Sequence, residues 1–127
     1  YGCGPNPVLV ELLRRAGYEA SGYDPFFAPH LDLRKRYDGV ISTEVFEHFA
    51  HPQKELRIIL QLLASDGYLI VMTHLRQKDT SLDRWWYVSD PTHVAFYSEK
   101  TMEWIAQTFG FEILYSNHKD FLIAKKL

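Results

Sequence analysis

The sequence predicts an α/β domain: a three-layer sandwich with helices on both faces of a mainly parallel sheet, finished by a carboxy-terminal antiparallel hairpin. Two observations carry that prediction. Helical and strand periodicities alternate along the chain. The run Gly39-Val40-Ile41-Ser42 is apolar without alternation, as in a strand covered on both sides. The 127 residues, 46% of them apolar, suffice for one domain with one core.

Each element follows from local chemistry. Asn6 caps a first helix with Pro7 at its opening position, and Val8, Leu9, Leu12, Leu13 and Ala16 form its apolar stripe up to Gly17. Tyr18 to Tyr23 reads as a short strand closed by Asp24-Pro25, because proline lacks the N–H a ladder needs. Residues 26–36 have no period and read as loop. From Glu44 to Ala64 the pattern is helical, broken near His51-Pro52, with Leu56, Ile59, Leu60 and Leu63 inward and Asp66-Gly67 as the turn. Tyr68 to Thr73 is the strongest strand. An aromatic connection from Leu75 to Tyr97 is longer than passive loops usually are. Ser98 opens another helix, carrying Met102, Ile105, Ala106 and Phe109 inward and ending at Gly110. Phe111 to Tyr115 and Phe121 to Ala124 form the hairpin.

Composition excludes several function classes. With 14 Lys+Arg against 16 Asp+Glu the net charge is −2, so no global field draws the chain to nucleic acid or acidic membranes. Cys3 is the single cysteine, which forbids an internal disulfide and fits a reducing, cytoplasmic setting. No apolar run approaches the ~18 residues of a membrane span. The chain opens at Tyr1 without Met, which points to a missing amino-terminal segment.

Ligands of open parallel sheets sit at the carboxyl ends of strands. Three groups fall there. Gly2-Cys3-Gly4-Pro5-Asn6 leads into a helix and lets backbone approach a ligand without Cβ interference. Asp24 ends the next extended segment, where a carboxylate can accept hydrogen bonds from ribose hydroxyls. Thr43-Glu44 ends the strand after that. An isolated Gly-x-Gly is also an ordinary turn, and Asp before Pro an ordinary turn former.

Together Tyr1-Gly2-Cys3-Gly4-Pro5, Gly22-Tyr23-Asp24-Pro25, Tyr37-Asp38-Gly39-Val40-Ile41-Ser42-Thr43-Glu44-Val45-Phe46-Glu47-His48 and Ser65-Asp66-Gly67-Tyr68-Leu69-Ile70 resemble the ordered motifs of class I S-adenosylmethionine-dependent methyltransferases, of a small bacterial type. The resemblance spans nearly the whole chain and implies a Rossmann-like sheet with S-adenosylmethionine as cofactor. It implies that Gly2, Cys3 and Gly4 lie along the methionine part, that Asp24, with Pro25 beside it, holds the ribose, and that Thr43 and Glu44 lie where substrate enters. Only residues 25–37 separate Asp24 from Asp38, where the family fits a helix and a strand, so a reduced sheet is expected.

The activity this implies is methyl transfer to a small-molecule acceptor, a hydroxyl foremost. Glu47, His48 and His93 are the candidate catalytic groups, able to take the proton of a hydroxyl. Trp85, Trp86, Tyr87, Phe96 and Tyr97 either line an acceptor pocket or fill the core. No resident metal is expected. The alternative set is Glu44, Glu47 and His48 on one helical face, with His93 or His74 as fourth ligand, holding a divalent ion as in metal-assisted O-methyltransferases or RNA 2'-O-methyltransferases. Two other readings are a non-catalytic methyltransferase-like binding module and a nicotinamide dehydrogenase. An open sheet edge would also admit a second copy of the chain.

Overall fold

The computed structural model describes residues 1–127 as two compact units, Tyr1–Asp32 and Leu33–Leu127.

The first unit holds helix α1, Val8–Arg15. Pro7 occupies its cap position with φ −77° and ψ 58°, one residue later than the sequence suggests, and no side chain caps the helix. The expected apolar stripe is present but not buried: Val8, Leu9 and Leu12 are exposed. Tyr18 to Tyr23 does not form the expected strand, because no ladder partner accompanies it. Its end is held instead by Gly2 and Cys3, whose N–H groups both donate to the Tyr23 carbonyl. Asp24 and Ala28 then exchange backbone hydrogen bonds at 3.0 Å in both directions, closing a tight turn.

The second unit contains the sheet: β1 Tyr37–Thr43, β2 Leu63–Met72, β3 Phe111–Ser116 and β4 Phe121–Lys126, in the order β1-β2-β4-β3. Only β1 and β2 are parallel. Both pairings of β4 are antiparallel, so the sheet is mixed and not mainly parallel: the terminal hairpin places β4 between β2 and β3.

Helix α2, Pro52–Leu62, starts at the proline whose missing N–H suits a first turn, and buries Leu56, Ile59 and Leu62. Helix α3, Glu99–Phe109, starts at Ser98, whose hydroxyl accepts the Thr101 N–H at 3.3 Å, and ends at Gly110 with φ 72°. It buries Met102, Ile105 and Ala106. β2 begins five residues earlier than its apolar run suggests. Asp66-Gly67 is an irregularity inside the strand, across which Tyr37 pairs with Leu63 but Gly39 pairs with Tyr68. A Cβ on Gly67 would lie 3.0 Å from the Ala64 carbonyl oxygen and 3.2 Å from that of Tyr37, which explains the glycine.

Between Glu44 and His51 the expected helix is a single 3-10 turn, Phe46–His48. The connection after β2 carries two more, Leu82–Arg84 and Trp86–Ser89. No helix is long and apolar enough to cross a membrane.

Candidate active site

In the first unit, Gly2 and Gly4 adopt left-handed backbone, with φ of 79° and 64°. Gly2 and Cys3 donate to the Tyr23 carbonyl at 2.7 and 2.9 Å, which ties the glycine turn to the residue before Asp24. The Gly4 N–H donates to Asp24 Oδ2 at 3.0 Å. On the other oxygen, Asp24 Oδ1 accepts the N–H groups of Phe26 and Phe27 at 2.9 and 3.2 Å. Burial pushes the Asp24 carboxyl up, but these three N–H donors outweigh it and hold the group below the usual carboxylate range.

An ionised carboxylate has about four lone-pair positions. Backbone N–H groups occupy three of Asp24's, two on Oδ1 and one on Oδ2. Gly22 completes the turn, since a Cβ there would stand 2.9 Å from Cys3 Sγ and 3.1 Å from Cys3 Cβ. Left-handed glycines, a close backbone approach and a carboxylate held in its charged form fit the expected nucleoside cofactor.

In the second unit, β1 and β2 end side by side, Thr43 opposite Met72. Glu44 follows with φ 53°, a left-handed conformation that a β-carbon makes costly and that recurs at functional sites. Its N–H donates to the Met72 carbonyl at 2.8 Å, and its carboxylate accepts the Tyr87 hydroxyl at 3.2 Å. Desolvation first, and the neighbouring Glu47 carboxylate second, raise the Glu44 pKa above its ordinary value, while the Tyr87 hydroxyl opposes them.

Glu47 is fully buried. Its Oε2 accepts the Thr73 hydroxyl at 2.7 Å, whereas its Oε1 has no hydrogen-bond partner. The Glu47 carbonyl accepts the N–H groups of Val94 and Ala95 at 2.8 and 3.0 Å, which draws the aromatic connection, and His93 with it, back to the 3-10 turn. The rings of His48 and His93 meet edge to face with centroids 4.8 Å apart.

A family described as methyltransferase domain matches residues 1–116. The chain belongs to the methyltransferase-domain family. Solved structures agree on the fold. A SAM-dependent methyltransferase from Archaeoglobus fulgidus aligns with TM-score 0.68 and 21% identity, covering 98% of this chain and 83% of the other. TnmH aligns at TM-score 0.67 and 16% identity, with 99% and 48% covered. CalO1, a methyltransferase in calicheamicin biosynthesis in its SAH-bound form, aligns at TM-score 0.62 and 11% identity, with 99% and 47% covered. The chain therefore spans about half the length of the latter two. No curated protein matches the sequence.

Within this methyltransferase domain the candidate residues fall into local groups. Gly2, Cys3, Gly4, Asp24 and Pro25 form one turn system, with Pro25 inside the Asp24–Ala28 turn. Glu47, His48 and His93 converge, one ligand-type atom of each within 4.8 Å of the others. Glu44 lies outside that trio, although its carboxylate neighbours that of Glu47. The 3-10 turn begins after it, and its carboxylate turns to Tyr87. His74 likewise packs its ring against Trp86 and Tyr87.

The aromatic set divides between core and surface. Tyr87 and Tyr97 are core residues, 1% and 4% exposed, and the Tyr97 hydroxyl donates to the Phe46 carbonyl at 2.9 Å, while Trp86 faces outward. A concavity of about 720 Å³ runs along α2 from Ala50 to Gln61 and includes none of the candidates. Thr73 escapes sequence reasoning. Its signal is position: it follows the last residue of β2, the strand parallel to the one that leads to Glu47.

Proposed function

We propose that this methyltransferase domain transfers a methyl group from S-adenosylmethionine to a hydroxyl of a small-molecule acceptor. The Gly4 N–H to Asp24 carboxylate bond, inside a chain that belongs to the methyltransferase-domain family, carries the reading. Gly2, Cys3 and Gly4 hold the cofactor's methionine end by backbone, and Asp24, with Pro25 fixing its turn, takes a ribose hydroxyl on Oδ2. Thr43 and Glu44 border the acceptor. When bound, the cofactor supplies a methyl group on a positively charged sulfur.

The rate of such a transfer comes chiefly from alignment of an electron-rich acceptor atom at near-contact distance. A hydroxyl acceptor must also lose its proton. Glu47, His48 and His93 are the groups that promote that loss, since a carboxylate oxygen without a donor and two imidazoles lie together. Calorimetric titration with S-adenosylhomocysteine tests the cofactor half. Binding in the micromolar range is expected, at least ~10-fold weaker in Asp24→Ala. A folded wild type that shows no binding at millimolar ligand contradicts it.

A further inference from the structure

Two imidazoles and a buried carboxylate meet, one ligand-type atom of each within 4.8 Å of the others. His48 Nδ1 lies 3.0 Å from the Thr92 carbonyl oxygen, and His93 Nδ1 lies 2.6 Å from the Tyr87 carbonyl oxygen. A carbonyl only accepts, so each Nδ1 carries the hydrogen and each neutral ring keeps its lone pair on Nε2. Anchoring one ring nitrogen on a carbonyl is how proteins orient histidine ligands of metals.

The third group, Glu47 Oε1, is fully buried, has no hydrogen-bond partner and lies 3.8 Å from His48 Nε2. A carboxylate oxygen left in that state is costly unless a cation offsets it, and 3.8 Å is too long for a hydrogen bond from His48.

We propose that Glu47, His48 and His93 bind a divalent transition ion of borderline softness, zinc foremost. Two imidazoles and one carboxylate are the protein half of an open tetrahedral zinc site, whose fourth position takes water or an acceptor oxygen. Two nitrogens disfavour magnesium and calcium, which prefer oxygen ligands. Zinc ligands at 2.0–2.1 Å stand about 3.3 Å apart in a tetrahedron. One ligand-type atom of each residue lies within 4.8 Å of the others, and His48, whose side chain is 39% exposed, is free to turn its ring toward Glu47. Asp90 Oδ2, 3.7 Å from His93 Nε2, adds negative charge at the rim. The ion site does not require the cofactor reading to be right.

The test is a cofactor-free titration of the metal-stripped chain with cobalt(II), followed by visible absorption, and with zinc(II), followed by calorimetry. One equivalent is expected to bind at about 10 µM or tighter with tetrahedral cobalt bands, and His48→Ala and His93→Ala are each expected to weaken it at least ~10-fold. His74→Ala, outside the trio, is expected to leave it unchanged. Circular dichroism melts establish that the variants fold; should His93→Ala fail to, the half-exposed His48→Ala decides. No saturable uptake by wild type below about 100 µM metal, or uptake unaffected by His48→Ala, overturns the proposal. S-Adenosylhomocysteine binding measured on the same sample reports on the cofactor separately.

Discussion

The Gly4 N–H donates to the Asp24 carboxylate at 3.0 Å across twenty residues of chain, so the glycine turn and the carboxylate that the sequence places apart are one structural object. Asp24 therefore supports its own unit as well as a ligand. Asp24→Ala strands three N–H groups and is expected to cost about 2–3 kcal/mol in urea unfolding, while Asp24→Glu, with a longer stem, is expected to recover little.

The same bonds set a pH dependence. Asp24's folded pKa lies below its unfolded value of about 3.9, so its contribution is fully present above that pH and disappears as pH falls through the lower folded value. Unfolding free energies between pH 6 and pH 3 are expected to drop in wild type more steeply than in Asp24→Ala.

Glu44 behaves in the opposite sense. Its folded pKa is raised, so the folded chain binds the proton more tightly and stability declines as pH rises through that value. Glu44→Gln is expected to flatten this decline in thermal melts between pH 4 and pH 8. An unchanged slope would show that another group causes it.

Gly22→Ala places a methyl group against Cys3 Cβ and Sγ and is expected to cost about 1–2 kcal/mol. Because the two shortest contacts are with Cys3 and only a third, at 3.3 Å, is with Val10, Cys3→Gly combined with Gly22→Ala is expected to be less damaging than the sum of the two, as a double-mutant cycle reads out.

Thr73→Val removes the hydrogen bond to Glu47 Oε2 and leaves a buried carboxylate with neither oxygen satisfied. Destabilisation by about 3 kcal/mol in urea unfolding is expected, and a loss below about 1 kcal/mol would mean that another donor reaches Glu47.

How much of this could be read from sequence depended on whether local chemistry or distant pairing decided the outcome. Ser98, Gly110 and Pro52 mark helix ends by their own hydrogen-bonding and φ preferences, and α2 and α3 lie where those residues put them. The antiparallel β3–β4 hairpin was legible but its place in the sheet was not, since β4's position between β2 and β3 is decided by pairing and not by any single run. Tyr18 to Tyr23 has strand composition but joins no strand of the sheet, so propensity alone misled. In the candidate site, the proximity of Glu47 to His48 follows from adjacency. The arrival of His93 depends on two backbone bonds to the Glu47 carbonyl that no motif announces. The departure of Glu44 follows from a 3-10 turn where periodicity predicts an α-helix.

The central claim is that the glycine turn and Asp24 hold one adenosyl ligand, and a crystal grown with S-adenosylhomocysteine tests it most directly. The account predicts density along the backbone of Gly2 to Gly4, with a ribose hydroxyl within hydrogen-bond distance of Asp24 Oδ2. Density that avoids both, in a crystal where the ligand is otherwise well ordered, would contradict it.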